Sequence, residues 1–341
     1  MALRFIDGFD HYTTLTQMLY KWTTSSSGNA APNQTGRRAG SLAVTTGGSV
    51  GYFSKLIDSQ STWIIGFALK IGSAPTNERS FLVLYDSAGT AQVSLSLTTA
   101  NLIQAYRGDM ATLLVAATSA LSSTGWCYLE MKVTIADSGG SLEVRKDGAP
   151  ILTYTGDTKY SSSNATACSL RLGCSASGAG AYLIDDLYVC DGTGSANNSF
   201  LGDVRVDTLF PSGAGASAQF TPTGSTNNWE NVDETSPDGD TSYNAAETAG
   251  YFDSFSFSDL SVQNATVFGV QLNTLARKDD AGSRFLRAIT RISGTNYEGT
   301  DAALSDSYVD YLQLFEQNPS TSSAWTESAI NNAEFGYKVQ A

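Results

Sequence analysis

The stretch "WCYLEMKVTIADSGGSLEVRKDGAPILTYTG", residues 126–156, limits the fold of this chain more than any other part of it. Trp126, Tyr128, Glu130, Lys132 and Thr134 alternate with Cys127, Leu129, Met131, Val133 and Ile135. That period of two belongs to a strand with one face on a core and the other on solvent. Gly139-Gly140 and "KDGAPI" then interrupt the alternation twice, as the tight turns of antiparallel hairpins do. A chain built this way returns on itself every ten residues or so and has no room for intervening helices.

The same texture fills the first half. "SLAVTT", "VGYFSKLI", "TWIIGFALKI", "SFLVLYD", "AQVSLSL", "LIQAYR", "CSLRLG" and "AYLIDDLYV" are strand-like runs bounded by Gly, Ser, Asn or Asp. One helix is expected, in "TTLTQMLYKWTT", where Leu15, Met18, Leu19 and Trp22 fall at helical spacing. The Gly/Ser/Asn-rich "CDGTGSANNSF" breaks the pattern. Strand-like runs resume in "GYFDSFSFSDL", "ATVFGVQLNTLA", "SRFLRAITRI", "SYVDYLQLFEQ" and "EFGYKVQ". The expected fold is all-β: two β-sandwich or jelly-roll domains in tandem, over residues 1–195 and 196–341. No self-similarity at a period of 20–50 residues points to a solenoid or propeller.

Charge divides the chain at the same place. Residues 1–195 carry 13 Lys+Arg against 14 Asp+Glu, whereas residues 196–341 carry 7 against 19, for an overall −13. An acidic half argues against nucleic acid as a partner, which requires a basic face. It suits solubility or a partner with a positive patch. No run of about 18 apolar residues is present, so no membrane insertion is expected. The opening "MALRFIDGFDHY" lacks a charged and then apolar leader, so the expected setting is a cytoplasm, unless the chain leaves by another route such as assembly into a larger particle. Cys127, Cys168, Cys174 and Cys190 have no zinc-site spacing, and His11 is the single histidine; buried thiols are expected.

Three stretches of the first half carry a resemblance. "FIDGFDHY", "WCYLEMKVTIADSGGSLEVRKDGAPI" and "AYLIDDLYVCDG" resemble the concanavalin A-like, LamG-type jelly roll over residues 1–192, above all as it occurs in tailed-bacteriophage proteins. The resemblance implies that the first and last strands are neighbours. "NWENVDETSPDGDTSYN", "GVQLNTLARKDDAGSR" and "NPSTSSAWTESAINNAEFGYKV" resemble the C-terminal module of phage virion structural proteins, over residues 200–341. Together they imply a non-enzymatic virion structural protein, a surface component of capsid or tail assembled in the host cytoplasm. Its partners would be other virion proteins and further copies of itself in a homo-oligomer. The alternative is a lectin-like adhesin that binds host-surface glycans. A third reading, a glycan hydrolase, needs two carboxylates about 5–9 Å apart in a cleft.

Chemistry-bearing residues are few. Glucanases of the concanavalin-like fold carry Glu-x-Asp-x-Glu, which is absent, and Glu230, Asp233 and Glu234 have the wrong spacing. His11 stands in "GFDHY" with no Gly-x-Ser-x-Gly elbow in the chain. No catalytic residue is assigned. In "AYLIDDLYVCDG", strict alternation puts Asp186 on one face with Tyr182, Ile184, Tyr188 and Cys190, and Asp185 on the other with Leu183, Leu187 and Val189. One aspartate then faces the core and requires backbone N–H donors, an arginine or a calcium ion. Paired end strands would bring Asp7, Asp10, Asp185 and Asp186 together. Such crowding calls for a cation or for hydrogen-bond donors, so calcium is the one cofactor expected. The acid-rich "DETSPDGDTSYN" departs from EF-hand order. For glycan contact, Trp229 beside Asn228 has the most suitable local setting, an aromatic next to amides and Glu230.

Overall fold

The computed structural model describes residues 1–26, 29–39, 41–46, 50–161, 163–178 and 180–340. The chain is β-rich throughout and forms two compact units, Met1–Val206 and Asp207–Ala341. Residues 196–206, which composition assigns to the second half, thus lie with the first unit.

Unit 1 is a sandwich of two antiparallel sheets. The first runs, in spatial order, β13 (Ala149–Gly156), β12 (Gly140–Lys146), β11 (Trp126–Thr134), β6 (Thr62–Ser73), β15 (Ala181–Asp191), β4 (Leu42–Thr46) and β3 (Ala30–Thr35). β1 (Leu3–Asp7) pairs with the end of β15, Ile6 opposite Tyr188. The second sheet runs β10 (Thr112–Ala116), β9 (Ile103–Arg107), β8 (Ala91–Leu97), β7 (Arg79–Tyr85), β14 (Ala167–Cys174), β5 (Gly51–Gln60) and β2 (Thr24–Ser25). Leu129, Met131 and Val133 from the first sheet, and Leu82, Leu84, Leu95, Leu170 and Leu172 from the second, are buried in the core.

Local chemistry explains the connections. Asp147 and Gly148 both take positive φ, 50° and 80°, the conformation of a two-residue type I′ turn, and Lys146 pairs with Ala149 across it. The helix α1 (Leu15–Lys21) begins at a capping box, with the Thr14 side chain accepting from the Gln17 N–H and the Gln17 side chain accepting from the Thr14 N–H. Its Met18 is buried, as is Trp22 just past its end, while Leu19 faces solvent. Cys168, Cys174 and Cys190 are buried and Cys127 is half-buried.

Unit 2 is built more thinly. One sheet runs β16 (Pro211–Ala218), β19 (Phe252–Phe257), β25 (Glu334–Gln340), β21 (Phe285–Ile292) and β22 (Thr295–Glu298), with β23 (Ala302–Ala303) also on β21. β17 (Thr221–Thr223) pairs with β18 (Tyr243–Ala245), and β20 (Val270–Ala276) with β24 (Val309–Phe315). Phe315, Trp325, Ile330, Ala333 and Phe335 form its core; Ile330 comes from α2 (Glu327–Asn331), a short helix the sequence reading does not anticipate. Among the described residues, ten apolar side chains are buried in this unit against forty-nine in unit 1. Among the described residues no helix is long and apolar enough to cross a membrane.

Candidate functional site

Both sandwich sheets of unit 1 turn a polar, aromatic face away from the core, and the two faces differ in access. On the eight-stranded sheet, Glu130 of β11, Gly66 of β6 and Tyr188 of β15 form one row across adjacent strands. The Tyr188 ring lies over Gly66, and its hydroxyl donates to Glu130 Oε1 at 2.5 Å. This face is closed by the chain itself. Gly202 N–H donates to Glu130, Leu201 N–H to the Tyr188 hydroxyl and Val206 N–H to Asp186. Arg145 stacks on Phe200, 4.0 Å from its centroid. Glu130 and Tyr128, expected on a solvated strand face, are therefore buried.

The aspartate pair does not split between faces as strict alternation requires. A β-bulge interrupts the β15–β6 register between Asp185 and Tyr188, with Asp186 at φ 51°. Both carboxylates are buried and both meet the same loop. Asp185 accepts from the backbone N–H of Arg37 and of Asp186. Asp186 takes the guanidinium groups of Arg37 and Arg38. Burial, then the neighbouring Asp186 charge, push the Asp185 carboxyl up to about 7. Asp7 lies elsewhere, against Lys21, Tyr12 and Trp22. The charge of Asp10 adds to the upward push on Asp185. Among the described residues no three acidic, His or Cys side chains gather as a metal site. Lys21 faces Asp7, Arg37 and Arg38 face Asp186, and backbone N–H groups donate to Asp185.

The seven-stranded sheet presents the more accessible face. Arg171 of β14 points outward between Tyr52 of β5 and Tyr85 of β7, its guanidinium carbon 5.7 Å and 5.2 Å from their ring centroids. Its Nη2 donates to Ser80 Oγ at 3.3 Å and pairs with Asp109 at 3.0 Å, while its Nε is buried without a hydrogen-bond partner. Beyond Ser80 a second network continues along the same face. Glu78 Oε1 accepts from Ser96 Oγ and from the Tyr106 hydroxyl at 2.7 Å, with Gln104 Oε1 2.5 Å from that hydroxyl. Tyr52, Tyr85, Glu78 and Gln104 are half-exposed. Burial, then Glu78, push the Tyr106 phenol up to about 12, and burial also raises that of Tyr85. Both phenols are protonated donors near neutral pH. The face thus combines flat rings, an amide, a carboxylate and a pre-oriented arginine.

The tryptophans of the two units and the residues beside them are placed differently. Trp63 and Trp325 are core residues. Asn228 is buried in unit 2, its amide donating to Phe220 O and Asp253 Oδ2, so it holds the fold rather than a ligand. Trp229 beside it is half-buried in a turn of 3₁₀ helix. In the acid-rich loop, the Ser242 hydroxyl donates to Glu234 and Asp238, and Asp240 pairs with Arg277. His11 is wedged against Tyr12 with both ring nitrogens unpartnered.

No family model matches the chain, and no curated protein matches it. Solved structures do. A sialidase aligns over 55% of this chain at 15% identity and a TM-score of 0.41, the alignment spanning 18% of the sialidase's own length. A Trypanosoma rangeli sialidase in complex with a difluoro-KDN ligand aligns over 49% at 14% identity and a TM-score of 0.37, spanning 26% of its length. An alginate lyase aligns over 55% at 8% identity and a TM-score of 0.36, spanning 96% of its length. At these values the likeness transfers neither activity nor site residues. The expectation of a non-enzymatic bacteriophage virion structural protein is nevertheless corrected, because these similar structures are glycan-processing enzymes by name and not virion proteins.

Proposed function

We propose that unit 1 is a glycan-binding module that uses the outward face of its seven-stranded sheet. One observation carries the reading: Arg171 is clamped between two half-exposed tyrosines, next to the Tyr106–Glu78–Gln104 network. Sugar rings offer apolar C–H faces to aromatic side chains and hydroxyls to fixed polar groups, and a site of this kind supplies both. Protonated phenols serve as hydrogen-bond donors here, not as bases or nucleophiles. Binding of the full chain to an array of glycans tests the proposal. Tyr52→Ala and Tyr85→Ala are each expected to weaken binding about tenfold, whereas Trp229→Ala leaves it unchanged. Loss of binding only in the Trp229 variant would move the site to unit 2 and sink this assignment.

A second observation favours self-association of unit 2. Ten buried apolar side chains are few for 135 residues, and the β20–β24 ribbon has only two strands, too few for independent stability. Further copies of the chain would cover the half-buried Leu312 and Leu314, which share the face of the ribbon opposite Leu272. Residues 207–341 hold 6 basic and 18 acidic side chains, so like-charge repulsion opposes the contact and salt relieves it. Sedimentation is expected to show an oligomer that tightens as salt rises; a monomer at every salt concentration contradicts it.

A further inference from the structure

The outward face of the seven-stranded sheet also bears on which glycans it takes, an inference that rests on the glycan-binding reading. We infer that the site selects carboxylated sugars, and that the turn between β9 and β10 is a flap whose Asp109 holds the carboxylate position on Arg171 until a ligand displaces it.

The argument begins with the arginine. Arg171 is 8% exposed, and two tyrosine rings fix the plane of its guanidinium. Such an arginine loses little freedom when it accepts a planar partner. Nη2 is engaged by Ser80 and Asp109, but Nε has no acceptor within hydrogen-bond reach. A buried charged donor without an acceptor is unfavourable. A neutral hydroxyl fills one donor, whereas a carboxylate spans the edge of the guanidinium with two parallel bonds. The unsatisfied donor on this fixed cation is therefore matched by a sugar carboxylate better than by a neutral sugar.

The present anionic neighbour is a movable one. Asp109 sits in the turn Gly108–Ala111, crossing over β8 and β7 to reach Arg171, and its side chain is 35% exposed. The turn is tied down by the Met110 N–H donating to Ser94 Oγ and by Ser94 Oγ donating to Gly108 O. It leads into β10, the outer edge strand of the sheet, where Thr112, Leu113 and Ala116 are exposed and Leu113 reaches 52%. Edge elements with little buried surface open at low free energy. Lifting this turn removes Asp109 from the guanidinium.

Calorimetry on the full chain tests this with three probes: a hexuronate oligosaccharide, sialyllactose and neutral lactose. The first two share the sugar carboxylate and separate its two sources. Both or one of them is expected to bind more tightly than lactose. Asp109→Ala removes the competing carboxylate and is expected to tighten carboxylated probes about 2- to 5-fold while leaving lactose unchanged. Arg171→Gln is expected to weaken them about 10- to 100-fold. Should Arg171→Gln not fold, the exposed Asp109 variant decides alone. Equal affinity for lactose and the carboxylated probes, or no gain in Asp109→Ala, overturns the inference while the glycan-binding reading stands. No binding of any glycan to either protein overturns both.

Discussion

Replacing Asp7 with alanine is expected to destabilise unit 1 by about 3–5 kcal/mol. The Asp7 carboxylate is the shared acceptor of a closed cluster. It receives the Phe9 N–H at 2.9 Å, the Tyr12 hydroxyl at 2.8 Å and the Trp22 indole N–H at 2.7 Å, and lies 3.4 Å from Lys21 Nζ. Lys21 is itself buried, with its ammonium 5.2 Å from the Phe5 centroid. Truncation therefore leaves a buried cation unpaired and three donors unsatisfied. Asp7→Asn retains an acceptor and is expected to lose less. The pH dependence carries a sign. Burial pushes the Asp7 carboxyl up, but Lys21, His11, the Phe9 N–H and Tyr12 together outweigh it and hold the group below its ordinary 3.8. A depressed carboxyl contributes stability that is present above the unfolded value and lost as pH falls through the folded one. The difference between wild type and Asp7→Ala should thus be constant from pH 8 to 5 and shrink below about pH 4. Urea denaturation monitored by near-UV dichroism measures it; an equal difference at pH 3 and pH 7 contradicts the ion-pair account.

The same cluster shows what a sequence can and cannot reveal. The strands of unit 1 were legible because each carries its own alternation, and the turn at Asp147-Gly148 because its residues favour positive φ. The helix was legible from Leu15, Met18, Leu19 and Trp22. Asp7, by contrast, meets Trp22 and Lys21 through a fold-back that no local spacing encodes. The β15 bulge escaped because an inserted residue changes the face of everything after it without changing composition. Residues 201–206 read as the opening of the second half; what fixes them on the sheet of unit 1 is main-chain N–H groups, which any sequence possesses. The candidate site was the least visible. Tyr52, Tyr85 and Arg171 are ordinary outward residues of three strands, and only the β5–β14–β7 order makes them neighbours. Trp229 and Asn228 drew notice because they are adjacent in sequence, which is a poor guide to a site assembled across a sheet.

Gly66→Ala is expected to destabilise unit 1 by about 2–4 kcal/mol through a contact that also orders the closed sheet face. β6 is buried on both faces around Gly66, with Ile65 and Phe67 in the core. On the outward side a Cβ at Gly66 would stand 2.6 Å from Cζ of Tyr188, inside the ring rather than beside it. Tyr188 cannot yield freely, because its hydroxyl is bonded to Glu130 and receives the Leu201 N–H. Moving the ring withdraws the tyrosine donor from a buried carboxylate and loosens residues 201–202 from the sheet. The reduced freedom of the unfolded chain that alanine brings offsets only about 0.4–1 kcal/mol of this. The cause can be separated from a general intolerance of side chains at this position by a double-mutant cycle. In a Tyr188→Ala background the ring is gone, and Gly66→Ala should then cost less than about 1 kcal/mol because the overlap is relieved. Hydrogen exchange supplies the second readout, since the Gly202 N–H is bonded to Glu130 in the wild type and should lose protection in Gly66→Ala alone. Equal penalties in both backgrounds would show that the glycine is needed for its backbone and not for the tyrosine that covers it.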